Sequence, residues 1–173
     1  MNIELRLATR SDVPALQAMA VRSYHQHFPY LWEEEGLKAY LEQYYDLATF
    51  LAFLTAPERN VYLALQEEEV VGYLVDHKQK DLDGVALGYY IQRIYMLAEY
   101  AGKGIGSALI QQAEKQAQQT GREYLWLEVM QSSHDSIAFY QRKGFEITRA
   151  AYFDLLPMKN KEIAKMWIMK KTL

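Results

Sequence analysis

The sequence contains no cysteine, and this absence excludes several kinds of chemistry. Without a thiol, the chain can form no disulfide, no thiolate nucleophile and no cysteine-ligated metal site. It also has no apolar run of membrane-spanning length and no visible cleavable leader, so we expect a cytoplasmic protein without a membrane partner. A net charge of −3 and an isoelectric point of about 5.8 do not indicate a nucleic-acid partner.

Length and pattern predict one α/β domain over residues 1–173, since no repeat, low-complexity tract or linker divides the chain. The apolar fraction of 50% is enough for a real core and argues against disorder. Ile3, Leu5 and Leu7 alternate as in a half-buried strand, and Leu37–Leu54 has a helical pattern that is interrupted near Asp46. The predicted order is β-α-α-β-β-β-α-β-α-β-β, with a mixed, mostly antiparallel sheet.

The most informative segment is a strand-like run followed by closely spaced glycines. Tyr90–Met96 has strand character, and Gly102, Gly104 and Gly106 then precede an amphipathic helix. Glycine permits φ > 0 and lets a ligand approach the main chain closely, while the free N–H groups at a helix start favour a pyrophosphate. The segment therefore predicts a phosphate-bearing ligand, although a turn that only joins a strand to a helix would look the same.

Two motifs together carry a resemblance to a known family. The spacing fits neither a Walker loop nor the G-x-G-x-x-G dinucleotide fingerprint. Ala101–Gly106 instead resembles the acyl-CoA loop [QR]-x-x-G-x-[GA] of the GNAT superfamily of N-acetyltransferases, except at its first position. Ala138–Phe145 contains F-Y-x-x-x-G-F, part of the signature A-x-x-F-Y-x-x-x-G-F of the same family. Tyr40-Leu41 and Gln92–Met96 look closest to its PaiA-like polyamine N-acetyltransferase branch.

The resemblance implies a fold and a cofactor. The implied fold is a single α/β domain with a central sheet of about six or seven strands flanked by helices. The implied co-substrate is acetyl-CoA, with its pyrophosphate on the loop amides and its pantetheine arm paired to the preceding strand as if it were an added strand. The residues predicted to bind acetyl-CoA are Ile94, Tyr95, Met96, Gly102, Lys103, Gly104, Ile105, Gly106, Ser107, Ser133 and Tyr140.

Two residues are predicted to handle protons. Tyr140 is the expected general acid, because a phenol with a pKa of ~10 is protonated at neutral pH and can donate to a thiolate with a pKa of ~8.5. The alternative is a core tyrosine on an apolar helix face. Many family members carry a glutamate where Gln92 stands, so Glu128 is the nearest candidate base. A solvent-facing Glu128, a base formed by Asp76 with a water chain, and an amine recruited already neutral are the alternatives.

The segment His27–Glu58 is expected to select the acceptor, because it combines aromatic side chains with carboxylates. That combination suits a cationic amine, while the alternative is that the aromatics pack the helices and the acids face water. The predicted substrate-binding residues are Tyr30, Trp32 and Gln92. His25 and His27 lack an evident third ligand, so we predict no metal site.

These predictions describe an N-acetyltransferase. It would move the acetyl group from acetyl-CoA to a primary amine, a small cationic amine or a polyamine, by direct attack in a ternary complex. The alternatives are acetylation of a protein N-terminus and a catalytically silent acyl-CoA-binding module. The silent module is considered because Gln92, Ala101 and Ser133 depart from the family pattern. A homodimer is compatible with each of these three functions.

Overall fold

A central sheet with helices on both faces forms the body of the protein, as a computed structural model shows for residues 2–153, 158–159 and 162–173. The strands are β1 Glu4–Leu7, β2 Arg59–Gln66, β3 Glu69–His77, β4 Gly88–Met96, β5 Tyr124–Met130, β6 Glu146–Tyr152 and β7 Lys165–Thr172. The helices are α1 Val13–His27, α2 Glu34–Tyr44, α3 Leu47–Thr55, α4 Ile105–Gln119 and α5 His134–Arg142.

The sheet has seven strands in the order β1-β2-β3-β4-β5-β7-β6, and its only parallel pair within the described residues is β4 with β5. The predicted α/β fold with a mostly antiparallel sheet is confirmed. The interruption expected near Asp46 is also present, because its carboxylate accepts a hydrogen bond from the Thr49 N–H at 2.8 Å and caps α3. None of the helices in the described part of the chain is long and apolar enough to cross a membrane.

The helices divide the core into two layers. Helices α1 to α3 cover one face of the sheet, where Leu16, Phe50 and Tyr73 belong to one buried cluster. Helices α4 and α5 cover the other face, where Leu74 and Leu109 belong to a second cluster. Tyr73 and Leu74 are consecutive on β3 and point to opposite faces, as the two-residue period of a strand requires. Each strand in the centre of the sheet therefore contributes to both layers.

A β-bulge in β4 breaks this alternation at one position. Val75 on β3 is opposite Arg93, but the next residue, Asp76, is opposite Ile91, so Gln92 is an extra residue in β4. Such an insertion bends the strand and redirects the side chains that follow it. The bulge lies at the point where the pairing of β4 with its other neighbour, β5, also ends.

The parallel pairing of β4 with β5 is short. It runs from Gly88 opposite Tyr124 to Ile91 opposite Leu127 and ends there. Beyond this pair the two strands separate, and Gln92–Met96 continues alongside β3 alone. The separation opens a cleft between the carboxyl ends of two neighbouring strands.

A buried carboxylate, Asp76, lies next to the bulge and outside the cleft lining. It accepts hydrogen bonds from the Asn60 N–H at 2.9 Å, from the Asn60 side-chain amide at 3.3 Å and from the Tyr89 hydroxyl. Burial raises the pKa of Asp76 from 3.8 to about 6, although these hydrogen bonds act in the opposite direction. Because Asp76 lies outside the cleft lining, the structure does not favour it as the general base, which was one of the alternatives left open by the sequence.

We therefore expect the stability to fall as the pH rises from 3.8 to 6. In this window the folded chain retains a proton on Asp76 that the unfolded chain releases, so ionisation costs up to about 3 kcal/mol of the free energy of unfolding. Asp76→Asn cannot ionise and should lack this contribution. Urea unfolding of both proteins at several pH values measures the difference, and parallel pH dependences would contradict the assignment. Arg6 holds the pKa of Asp12 well below its usual value of 3.8. Protonation of Asp12 therefore lowers the stability as the pH falls below that value.

Candidate active site

The separation of β4 from β5 forms a cleft of about 980 Å³. Its walls come from these two strands, the glycine loop before α4, helix α5 and the aromatic segment that follows α1, residues 28–32. Most of the predicted site residues line it, namely Tyr30, Trp32, Gln92, Ile94, Tyr95, Met96, Gly102, Gly104, Ile105, Gly106, Ser107, Glu128, Ser133 and Tyr140. The predicted Lys103 is not among the lining residues, and its Nζ lies 4.8 Å from the centre of the Tyr100 ring.

The loop before α4 depends on two glycines with left-handed backbones. The φ angle is +73° at Gly102 and +87° at Gly104, which is the N-cap of the helix. A side chain at Gly104 would meet nothing within 4 Å, so glycine is required there by the backbone conformation. The N–H groups of Ile105, Gly106 and Ser107 begin the helix and have no carbonyl partner one turn earlier, so they are available to an anion in the cleft.

Gly106 serves a different purpose from the other two glycines. A Cβ atom at this position would lie 2.9 Å from the Met96 Cε and 3.2 Å from the Phe139 Cζ. Alanine at this position would therefore require the Met96 methyl and the edge of the Phe139 ring to shift, because α4 packs closely against β4 and α5. The three alternate glycines thus comprise two positions with a left-handed backbone and one position of close packing.

The end of β4 offers main-chain groups to the cleft. The N–H of Leu97 bonds to the carbonyl of Val71 at 3.0 Å. Because hydrogen-bonded and non-hydrogen-bonded pairs alternate along an antiparallel ladder, Ile94 and Met96 direct their N–H and C=O groups away from β3. Strand β5 has already separated at this point. An extended ligand can therefore pair with this edge in the way that the sequence predicted for the pantetheine arm.

One of these groups is held by helix α1. The Met96 carbonyl accepts hydrogen bonds from the Ser23 hydroxyl and from the His27 ring Nε2, each at 2.9 Å. Since a carbonyl only accepts, the proton of the imidazole is assigned to Nε2. This link was not predicted from the sequence, although Ser23 and His27 are four residues apart and so share one face of the helix.

Tyr140 lies in α5 with its ring against Phe139 and Phe145, at centroid distances of 5.3 Å and 5.8 Å. Burial, and to a smaller extent the nearby Tyr95, raises the pKa of Tyr140 above its ordinary value of 10. The phenol therefore keeps its proton at neutral pH. Among the described residues, nothing hydrogen-bonds its hydroxyl, so this proton is available at the cleft.

Glu128 is the first residue of β5 beyond the paired segment, and it is exposed to the cleft. Its Oε2 accepts a hydrogen bond from the Tyr90 hydroxyl at 2.7 Å. The Tyr90 ring packs at 4.2 Å from Trp126 and has the Lys80 Nζ 4.0 Å from its centre. Burial and the charge of Glu128 raise the pKa of Tyr90, so this tyrosine remains a donor and fixes the position of the carboxylate.

The predicted substrate residues have different surroundings. The Tyr30 hydroxyl lies 3.3 Å from the Ser132 Oγ, across the cleft, and this tyrosine is exposed. Trp32 is only 3% exposed, and its ring centroid lies 4.7 Å from that of Tyr40, on which it stacks. Its surroundings therefore fit a residue that packs the helices better than one that binds the acceptor. The amide oxygen of Gln92 accepts a hydrogen bond from Arg59.

The carboxylates of the segment after α1 do not line the cleft, contrary to the expectation of an acidic acceptor pocket. All six carboxylates of residues 27–58 lie in the described part of the chain: Glu33, Glu34, Glu35, Glu42, Asp46 and Glu58. Glu128 and Asp135 are the carboxylates of the described lining. Arg93 also lines the cleft and was missed, although a charged residue inside an otherwise apolar strand could have drawn attention to it.

Comparison with known proteins gives one family. A model described as the acetyltransferase (GNAT) family matches residues 18–145. The aminoalkylphosphonate N-acetyltransferase of Salmonella typhimurium is 30% identical over 83% of this chain and 84% of that protein. The spermidine N(1)-acetyltransferase of Thermoplasma acidophilum is 23% identical over 94% and 99% of the two chains. The crystal structure of PaiA N-acetyltransferase from Thermoplasma acidophilum in complex with coenzyme A has a TM-score of 0.82 at 21% identity, with both chains fully covered.

Two glycines allow a matched test of the loop. Gly104 and Gly121 both have positive φ and open surroundings, but Gly121 lies at the far end of α4. Alanine at either position should cost ~1–2 kcal/mol of stability through backbone strain. Only Gly104→Ala should weaken acetyl-CoA binding, by about tenfold or more as the helix start shifts. Isothermal titration of both folded variants checks this, and equal affinities would show that the loop conformation is not used for binding.

Proposed function

The chain belongs to the acetyltransferase (GNAT) family, and from that premise we propose that its cleft moves the acetyl group of acetyl-CoA onto the primary amine of a small molecule. One observation carries the proposal. The separated ends of β4 and β5 bring an unpaired strand edge, a glycine loop, the Tyr140 hydroxyl and the Glu128 carboxylate into a single cleft.

The residues of the cleft fit acetyl-CoA. The amides of residues 105–107 provide donors for a pyrophosphate at the positive end of α4. The free N–H and C=O groups of Ile94 and the N–H of Met96 suit the amides of a pantetheine arm. Ser133 occupies the N-cap of α5 without a side-chain cap hydrogen bond, so its hydroxyl is free to bond to that arm. Acetyl-CoA supplies the acetyl group as a thioester.

Two proton transfers are assigned to different walls of the cleft. An amine is mostly protonated at neutral pH and becomes a nucleophile only after losing a proton. Glu128, exposed and oriented by Tyr90, accepts that proton. Tyr140 retains its own proton and donates it to the sulfur of the departing CoA. The direct transfer requires no covalent enzyme intermediate, consistent with a chain that has no cysteine.

The identity of the amine is a narrower question. The relative that acts on spermidine and the PaiA-like resemblance support a polyamine. The carboxylates expected to bind such a cation lie outside the cleft lining, so the support from this chain's own residues is limited to Glu128 and Asp135. Acetylation of a peptide N-terminus remains the second candidate. An assay with a panel of small amines, polyamines and peptides, in which acetylated products are identified by mass spectrometry, decides between them.

Tyr140→Phe should lower kcat by ~10²–10⁴-fold, because the ring and its packing are retained while the donated proton is lost. Acetyl-CoA affinity should change little. Tyr152→Phe is the control, since Tyr152 is 66% exposed and outside the cleft lining. The rate of the chemical step is measured in single turnovers. A near-normal rate in Tyr140→Phe would assign this tyrosine to packing alone.

Glu128→Gln should also lower kcat/KM by ~10²–10⁴-fold near neutral pH. The loss should shrink as the pH rises, because a growing share of the amine is then already neutral. Tyr90→Phe should also lower kcat/KM, but by a smaller factor, because it leaves the Glu128 carboxylate in place without its hydrogen bond. Glu123→Gln, at an exposed position before the same strand, is the control. A pH-independent loss in Glu128→Gln would contradict a role as base.

A further inference from the structure

Aromatic side chains form one wall of the cleft on the face of the sheet beneath helices α1 to α3. We call this the acceptor wall, and the side of the cleft that it closes the acceptor side. The wall consists of lining residues that are at least partly exposed, namely Phe28, Tyr30, Tyr95, Phe153 and Met166. Tyr30 is 42% exposed, and the other four pack against the core cluster beneath α1 to α3. A molecule on this side therefore meets aromatic rings and a thioether.

Packing between rings holds the acceptor wall in place. The centroid of the Phe28 ring lies 5.7 Å from that of Tyr95 at an interplanar angle of 84°, so one ring turns its edge to the other. Buried rings support the wall from behind, since Tyr24 lies 5.0 Å from Phe28 and Tyr40 lies 6.0 Å from Phe153. The wall is therefore preformed, and an apolar group can bind to it without first ordering flexible side chains.

The candidate base lies on the same face of the sheet as this wall. Met130 packs in the cluster beneath α1 to α3, and the alternation along β5 turns Glu128, two residues earlier, to the same face. Met166 is opposite Met130 in the neighbouring strand β7. This pair lies about 7 Å along the strand from Glu128, which is within reach of a ring on a two-carbon arm. An amine at Glu128 can therefore extend an apolar group onto the acceptor wall.

The acceptor wall, as the described residues define it, provides no carboxylate for a second positive charge. In the part of the chain that the structure describes, Glu128 and Asp135 are the carboxylates of the cleft lining. Asp135 lies in the first turn of α5, the helix that covers the opposite face of the sheet. A second ammonium group that left water for this wall would be unpaired, which is unfavourable.

The charge of Arg93 also acts against a second cation at the acceptor wall. Burial raises the pKa of Tyr95, and the positive charge of Arg93 opposes that rise. The guanidinium is therefore close enough to act on a member of the wall, and it would repel a further ammonium group there. An uncharged ring is not repelled in this way and gains from leaving water.

We propose that the preferred acceptor is an arylalkylamine, a molecule with a single primary amine on a short carbon arm that ends in an aromatic ring. The inference rests on the proposed function, because it names the acceptor of that reaction. The ring packs on the acceptor wall while the nitrogen faces Glu128 and loses its first proton to this carboxylate. The nitrogen then bonds to the acetyl carbon as the carbon–sulfur bond of acetyl-CoA breaks. Tyr140 protonates the released sulfur, and the proton that the new amide nitrogen loses restores the Tyr140 hydroxyl.

Three amines test the proposal in the wild type. The amines 2-phenylethylamine and ethylamine share the aminoethyl arm and differ in the ring, whereas spermidine adds further positive charges. We expect kcat/KM for 2-phenylethylamine to be at least about fivefold higher than for either of the others, because only this amine can bury a ring. Products are quantified by mass spectrometry, and rates are expressed per unprotonated amine so that differences in amine basicity are removed.

Substitutions at Met166 test the role of the wall. Met166→Glu keeps the length of the side chain and adds a carboxylate, so it should lower kcat/KM for 2-phenylethylamine and raise it for spermidine, each by about threefold or more through KM. Met166→Gln, which is polar but uncharged, should lower the first value without raising the second. Ile147→Glu is the control, because it adds the same charge at a 41% exposed position outside the cleft lining.

The outcomes separate the two proposals. Absence of turnover with every amine would contradict the proposed function. Turnover of the amines with a smaller preference for 2-phenylethylamine would contradict the acceptor assignment alone, and so would equal losses for 2-phenylethylamine and spermidine in Met166→Glu. If circular dichroism shows that Met166→Glu is unfolded, the wild-type ratios and Tyr30→Ala decide. Tyr30→Ala, at an exposed position, should raise KM for 2-phenylethylamine more than for ethylamine.

Discussion

The parallel pairing of β4 with β5 ends at Ile91 and Leu127, and the arrangement of the cleft depends on that ending. Two neighbouring strands of a sheet ordinarily satisfy each other's main-chain groups. Here the groups of Ile94 and Met96 turn away from β3 and towards a strand that has already moved aside. A polar strand edge inside a protein needs a partner. The fold thus creates a requirement that an extended, amide-bearing ligand can satisfy.

The bulge at Gln92 gives the same strand a second function. Before it, Tyr89 and Ile91 pack in the layer under α4, while Tyr90 packs against Trp126 on the opposite face of the sheet. After it, the order is reversed, so a charged residue emerges among tyrosines on the acceptor side and an aliphatic one closes the α4 side. A single inserted residue therefore determines that Arg93 packs against Tyr45 and Phe53 instead of entering the layer under α4.

The sequence predicted the fold, and it singled out the glycine loop that lines the cleft, because these signals are local. Gly104 and Tyr140 sit in short motifs, and the cap at Asp46 is a matter of adjacent residues. What the sequence could not supply is pairing across the sheet. The register that makes Gln92 a bulge pairs residues 15 and 18 positions apart. The hydrogen bonds from Tyr90 to Glu128 and from Arg93 to the Tyr44 carbonyl join residues 38 and 49 positions apart. The acidic residues of 27–58 were grouped by proximity in sequence, whereas in the structure none of them lines the cleft.

The Met96 carbonyl, held by Ser23 and His27, has a consequence for how the two substrates affect one another. Helix α1 ends at His27, and the chain then continues directly into the aromatic wall of the acceptor side. A ligand that aligns the β4 edge and a ligand that orders this wall therefore act on opposite ends of one short rigid connection. Any factor by which the first ligand changes the affinity of the second is returned in equal measure by the second, because linkage is reciprocal.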